Sequence, residues 1–376
     1  MAHGVVMAVS ERKLHLIEAL RWSADRDVEW VEILSAGIAM AAPVAVGAAL
    51  GHLAIGLAAS VGGLLIGDVP PGPTVSDHAH RLARVLAPAV VASVAATLAA
   101  GHGWITDAVV VLLATAAATV GSYSRGLAVA AMRFVLFLVL TVTAADAAAR
   151  PVAHLVLVMT GALGAAAVSL GLGALPAPHR RSRPPLSTHA AASATSANQY
   201  ARWKRTLSHR AGWQYTLRLG GCLGIAAIAR WSWPGHHLHW IALAVAILTQ
   251  RQVERFPIKT TQRTLGTLLG VPAASLFVAV RPPVWGLVIG IGVLASLRPL
   301  LKARSYLAYT AVMTPLIVLI MGANRPLGAG ILFDRLIATL IGAGLVIAAN
   351  LLAARWLAGT MPVAPAALSA SHSETS

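Results

Sequence analysis

The sequence predicts an all-α, polytopic membrane protein, from its composition, the regular succession of its apolar segments and the placement of its charges. Of the 376 residues, 57% are hydrophobic and 11% are charged, and the mean hydropathy is +0.73. A typical soluble domain has about 25% charged residues. The composition therefore indicates a chain that lies mostly within a bilayer.

The chain divides into five regions. A cytoplasmic amphipathic helix is predicted over 1–30, a first six-helix repeat over 31–175, a basic cytoplasmic linker over 176–212, a second six-helix repeat over 213–357 and a disordered tail over 358–376. About twelve apolar segments define the two repeats, several of them shorter than the ~20 residues of a full span. They are 32–49, 52–67, 84–101, 105–121, 126–145, 152–175, 213–230, 237–250, 264–280, 284–298, 305–322 and 331–354.

The net charge of +16 is compatible with nucleic-acid binding or with membrane orientation. Most of the Lys and Arg residues lie in short turns that share one side of the membrane if the N-terminus is inside. The charge is thus better explained by orientation, and the basic linker by contact with anionic lipid. We expect a bacterial inner (plasma) membrane protein with cytoplasmic termini and no nucleic-acid partner.

Like residues recur at a nearly constant spacing, which predicts an internal repeat. The separation is about 180 residues in each case; the pairs are Arg81 with Arg263, Arg125 with Arg304, and Gly161 with Gly342. Six helices per copy is an even number, so the copies are predicted to be parallel, with a substrate path between them. The alternative is chance similarity among Ala- and Leu-rich segments.

Arg133 is the most unusual charge in the sequence. It lies about eight residues inside the apolar stretch 126–143, roughly 12 Å deep in a helix. A charge at that depth is costly unless it faces protein or water. Arg133 is therefore predicted to line a path for anions or to be ion-paired.

Six further arginines near segment ends are candidates for the same path: Arg81, Arg84, Arg125, Arg263, Arg304 and Arg335. The competing interpretation is that they anchor helix ends at lipid phosphates. Asp334 either holds a neighbouring helix or carries a coupling proton. Gly266 and Gly270 form a small-xxx-small pair that favours close helix packing.

Two stretches of the second half resemble the fusaric acid resistance family. These are HWIALAV at 239–245, an aromatic-led short helix, and TQRQVERFPIKTTQRTLGTLLG at 249–270. The second ends in Arg-x-x-Gly-Thr-x-x-Gly, with Arg263, Gly266, Thr267 and Gly270 in the matching positions. Later matching elements are Arg304-Ser-Tyr306, Asp334-Arg335 and the stretch from Thr339 to Gly342.

That family includes aromatic acid exporter-type bacterial membrane proteins, with plant aluminium-activated malate channels as distant relatives. The resemblance implies a transporter that exports an organic anion, with aromatic acids as one candidate class. It covers about 213–350; the first half keeps only fragments, with His154 where Arg335 would be expected. An uncoupled anion channel and a non-transporting membrane scaffold are the alternatives.

No catalytic constellation is visible, so we expect neither enzymatic activity nor a cofactor. The histidines at 236, 237 and 239 are predicted to be interfacial rather than metal ligands, because no Cys or carboxylate is close in sequence. Asp107 and Asp146 are expected to be solvated near the outer surface. The sequence gives no indication of oligomeric state; the expected partners are an anionic substrate and membrane lipid.

Overall fold

The computed structural model describes residues 22, 28–67, 69–147, 150–175, 196–233, 239–249, 256–280, 282–322 and 329–358. Thirteen helices and no strand are found in these ranges, so the all-α prediction is confirmed. They are α1 (Trp30–Ala49), α2 (Leu53–Ile66), α3 (Val75–Ala99), α4 (Trp104–Val120), α5 (Arg125–Ala147), α6 (Pro151–Ala174), α7 (Ser196–Ser208), α8 (Arg210–Ser232), α9 (His239–Leu248), α10 (Phe256–Val280), α11 (Val284–Arg304), α12 (Tyr306–Gly322) and α13 (Ala329–Ala358).

Each predicted apolar segment falls on a helix, and the main differences are at helix starts. Helix α3 begins at Val75 rather than at 84, because Thr74 Oγ1 accepts a hydrogen bond from Asp77 N at 3.0 Å and caps the helix there. Hydropathy locates the apolar part of a helix, whereas capping sets its end. The helix predicted over 1–30 and the tail over 358–376 lie almost wholly outside the described residues.

One helix, α7, is additional to the twelve predicted apolar segments and lies within the basic linker. Trp203 and Leu207 are partly buried on one of its faces, while Arg202, Lys204 and Arg205 are exposed. This amphipathic pattern lets a polar segment form a helix by packing on the rest of the protein. The remainder of the linker before Ser196 lies outside the described residues.

Within the described residues, six helices are long and apolar enough to cross a membrane. They span Trp30–Ala49, Val75–Ala99, Arg125–Ala145, Pro151–Ala174, Val284–Arg304 and Phe333–Trp356. Four shorter apolar helices span Leu53–Ile66, Trp104–Val120, His239–Leu248 and Tyr306–Ile320. The chain is therefore a multi-pass membrane protein in which several helices are shorter than a simple span.

Helices of the two halves pack in corresponding pairs. In the first half the contacts are α1–α2, α1–α6, α2–α6, α3–α5, α3–α6 and α4–α5; in the second they are α8–α9, α8–α13, α9–α13, α10–α12, α10–α13 and α11–α12. Between the halves, α1 packs on α11 and α4 on α8, while α2 touches α12 and α5 touches α9. Each of these six contacts in one half thus has a counterpart in the other, whereas the α3–α4 and α5–α6 contacts of the first half have none of similar extent among the described residues.

Small residues permit several of these approaches. Gly161 of α6 lies directly against the backbone of Ala59 on α2, and Gly342 of α13 lies against Ala244 on α9. Backbones that approach this closely leave no room for a larger side chain. The α6–α2 and α13–α9 contacts are therefore built in the same way.

Candidate functional site

Four of the predicted path arginines are exposed, two of them within α3 and two at helix termini: Arg81, Arg84, Arg125 and Arg304. Arg81 Nη1 donates a hydrogen bond to the carbonyl oxygen of Pro71 at 3.2 Å, which ties α3 to the segment that precedes it. Arg125 is the first residue of α5, and Arg304 is the last residue of α11. None of the four is buried in the helix bundle.

Arg133 lies in the third turn of α5 and is half-buried. Its guanidinium group makes no hydrogen bond or ion pair within the described part of the chain. A small cavity between the halves is lined by α4, α5, α8 and α9, but Arg133 is not among its lining residues. The role of Arg133 in a path therefore stays a prediction.

Arg335, by contrast, is buried at the junction of α13 and α9. Its side chain is 7% exposed, and its guanidinium carbon lies 4.4 Å from the centroid of the Trp240 ring, which is also 7% exposed. Arg263 of α10 lies close enough for its positive charge to repel that of Arg335. We call these three residues a cluster, in which Trp240 contacts the guanidinium group of Arg335 and the charge of Arg263 acts on it.

Each member of this cluster has an N–H group without an acceptor. Arg335 Nη1, Trp240 Nε1 and Arg263 Nε are buried and have no hydrogen-bond partner among the described residues. A buried polar group left without a partner costs about 1–3 kcal/mol. All three atoms are donors, and two belong to cations, so the chemistry of the cluster suits a negatively charged acceptor.

Close packing in the second half holds the cluster in place. Gly342 lies against Ala244, which allows α13 to approach the short helix that carries Trp240. Gly266 and Gly270, on the helix of Arg263, lie against the carbonyl oxygens of Leu307 and Ala311 on α12.

Three further polar residues lie on the helices that carry Arg263 and Arg335. Thr267 is buried at 3% exposure beside Gly266. Thr339 Oγ1 donates to the carbonyl oxygen of Arg335 at 2.8 Å, one turn along α13. Asp334 is half-buried next to Arg335 and takes part in an interaction of its own.

Sequence reasoning selected Arg263 and Arg335 but assigned no role to Trp240. The available signal was the aromatic residue that opens the short helix in the family-like stretch. It also missed two arginines that are buried among polar partners. Arg218 Nη1 donates to Asn350 Oδ1, and Arg298 Nη2 donates to the carbonyl oxygen of Leu64 at 3.2 Å.

The expectation that Asp107 is solvated is wrong. Its Oδ2 accepts hydrogen bonds from Arg230 Nη2 at 3.0 Å and from Trp231 Nε1 at 2.8 Å. Contact between α4 and α8, which lie in different halves, brings these groups together. Asp107, Arg230 and His239 line the cavity between the halves, whose volume is about 40 Å³.

The histidine cluster is only partly described. His236 and His237 lie outside the described residues, as does the side chain of Asp146. The ring of His239 packs beside that of Trp240, with centroids 5.1 Å apart. This contact places His239 next to the arginine cluster.

A comparison with known protein families matches the part of the chain that contains this cluster. Residues 223–349 are fusaric acid resistance protein-like. This confirms the resemblance recognised in the sequence, for the part of the chain that runs from within α8 to within α13. The fusaric acid resistance-like region contains all three members of the buried cluster, and together with the apolar helices it indicates a membrane transporter. No curated protein and no solved structure matches the chain.

Proposed function

We propose that this protein exports organic acid anions, with aromatic acids as one class, across the bacterial plasma membrane. The substrate carboxylate binds at the cluster formed by Arg335, Arg263 and Trp240. The observation that carries this proposal is the set of three buried donors that have no hydrogen-bond acceptor among the described residues. A carboxylate supplies the acceptors and the negative charge that the cluster lacks.

The corresponding helix contacts support two parallel six-helix repeats, related by an axis along the membrane normal. Helix α9 then links the cluster to the interface between them, because it contacts both α13 and α5. Arg133 lies on α5. In this proposal it attracts anions toward the interface, and Arg81, Arg84, Arg125 and Arg304 raise their local concentration at the cytoplasmic mouth.

Proton coupling is the favoured mechanism, with Asp334 as the candidate proton carrier beside Arg335. Protonation of this carboxylate would change the net charge next to the substrate site. A pH gradient should then drive uptake into inside-out proteoliposomes for the unmodified protein, and should lose that effect in Asp334→Asn. Flux that never responds to the gradient would favour the uncoupled anion channel.

The test of the site is radiolabelled benzoate flux in proteoliposomes. Arg335→Ala and Arg263→Ala should each reduce flux at least tenfold, because each removes a charged donor worth about 1.5–3 kcal/mol. Arg133→Ala tests the proposed path in the same assay. Arg355→Ala is the matched control, since Arg355 is exposed on α13, the helix that carries Arg335.

Unchanged flux in both Arg335→Ala and Arg263→Ala would remove the cluster from the transport mechanism. Absence of any anion flux in the unmodified protein would instead favour the membrane scaffold, in which the linker and cytoplasmic helix ends dock partners.

A further inference from the structure

A second cavity lies where α7 meets the turn between α4 and α5. Its volume is about 260 Å³. The lining residues are Gly121, Ser122, Tyr123, Ser124, Arg125, Ala128, Arg202, Trp203 and Thr206. We call this cavity the α7 pocket; it shares no residue with the cluster of Arg335, Arg263 and Trp240.

Trp203 builds the pocket by attaching α7 to the turn. Its Nε1 donates to Ser122 Oγ at 2.9 Å, and its ring meets that of Tyr123 edge to face, with centroids 6.0 Å apart. Ser124 Oγ accepts a hydrogen bond from Leu127 N at 3.2 Å and so fixes the start of α5. The walls are therefore held by specific contacts between segments that are far apart in the sequence.

The charge of the pocket is positive. Arg125 and Arg202 are exposed, and neither makes a hydrogen bond or ion pair through its side chain with any described residue. No carboxylate is among the lining residues. The N-terminus of α5 adds a partial positive charge, and the hydroxyl group of Ser124 lies beside it. The hydroxyl groups of Ser122 and Thr206 donate to the carbonyl oxygens of Thr119 and Arg202.

We propose that the α7 pocket binds a phosphate-bearing anion. Two arginines from different elements suit the tetrahedral oxygens of a phosphate group, and a helix N-terminus favours the same ligand. The phosphate comes either from the headgroup of an anionic phospholipid or from free phosphate in the cytosol. Either occupant neutralises the two lining arginines and holds the linker helix against the α4–α5 turn.

The experiment uses the purified full-length protein in detergent with three soluble probes. These are dihexanoyl phosphatidylglycerol, dihexanoyl phosphatidylcholine and inorganic phosphate, each titrated below its micellar range to obtain a dissociation constant. Phosphatidylglycerol binding without phosphate binding identifies the lipid headgroup, and phosphate binding identifies the free ion. Phosphatidylcholine, which has a phosphodiester but no net charge, should bind at least tenfold more weakly than phosphatidylglycerol.

The decisive variant is Arg125→Ala with Arg202→Ala. It should weaken binding of the probe that binds the unmodified protein about 100-fold, or tenfold per arginine. The matched control is Lys204→Ala with Arg205→Ala, which removes the same charge from exposed positions of α7 that do not line the pocket. The control should bind within about twofold of the unmodified protein, because its pocket contacts are intact.

Arg125→Lys with Arg202→Lys keeps the charge and should give an intermediate affinity, since lysine lacks the bidentate geometry. Binding of no probe by the unmodified protein, or equal weakening in the two alanine pairs, would overturn the proposal. Because benzoate flux does not enter these measurements, their outcome is independent of the proposed transport function.

Discussion

Buried arginines in this chain differ in what their N–H groups contact. Arg218 and Arg298 donate to Asn350 and to the carbonyl oxygen of Leu64, so protein acceptors within the bundle compensate part of their burial. Arg298 Nε and Arg335 Nη1 are both buried without a described hydrogen-bond partner, but the guanidinium group of Arg335 donates to no described residue and lies near another cation. Its environment is thus compatible with a ligand, whereas the other two arginines connect helices.

At this scale Trp240 is the position whose role is most easily tested. Trp240→Ala removes the ring below Arg335, and a desolvated cation–π contact is worth about 2 kcal/mol, so the KM for benzoate should rise at least tenfold. Trp240→Phe keeps an aromatic face and should have a smaller effect. The measurement is the concentration dependence of benzoate flux.

Trp285→Ala is the control for this prediction, because Trp285 is 56% exposed at the start of α11. A similar KM for Trp240→Ala and the unmodified protein would contradict a role for the indole in holding Arg335.

At the scale of elements, glycines set how closely α13 approaches α9. A Cβ at Gly342 would lie 2.7 Å from Ala244 Cβ and 3.3 Å from the carbonyl oxygen of Ile241, whereas Gly344 has no neighbouring atom within 4 Å. The two positions share one helix and differ in packing. The same substitution at the two positions therefore separates the effect of close packing on stability from that of helix propensity.

Gly342→Val should lower the free energy of unfolding by about 1–3 kcal/mol, because the added methyl groups overpack the α9–α13 contact. Gly344→Val should change it by less than about 0.5 kcal/mol. Thermal unfolding of the two purified variants, followed by intrinsic tryptophan fluorescence, provides the comparison. An equal loss of unfolding free energy in the two variants would contradict the close packing of α13 against α9.

At the scale of the whole molecule, reciprocal contacts join the two halves. Gly37 of α1 faces Ser296 of α11, and Gly220 of α8 faces Thr115 of α4. The ion pair between Asp107 and Arg230 adds a polar contact to the second of these interfaces. The halves thus meet through the same helices on both sides of the molecule.

Disulfide cross-linking tests this arrangement, in a Cys222→Ser background that removes the single native cysteine. Thr115→Cys with Gly220→Cys should form a disulfide under mild oxidation, because these side chains face each other across α4 and α8. Electrophoretic mobility without reductant, after proteolysis between the halves, measures the product.

Thr115→Cys with Gly221→Cys is the control pair, since Gly221 is the next residue on α8 and has no neighbour within 4 Å. Cross-linking of the control as efficiently as the test pair would contradict the close approach of α4 and α8.

The sequence by itself determined the all-α class, the apolar core of each helix and the family-like region, because hydropathy and local motifs act over short stretches of chain. It did not determine which arginines are buried. Arg335 and Trp240 are far apart in sequence, as are Asp107 and Arg230, and only contacts between distant helices decide what each side chain meets. The same holds for Arg125, which lines one cavity with Arg202 only because α7 packs on the α4–α5 turn. Local sequence sets the cost of placing a charge in a helix, but tertiary packing decides which side chains and backbone groups surround that charge.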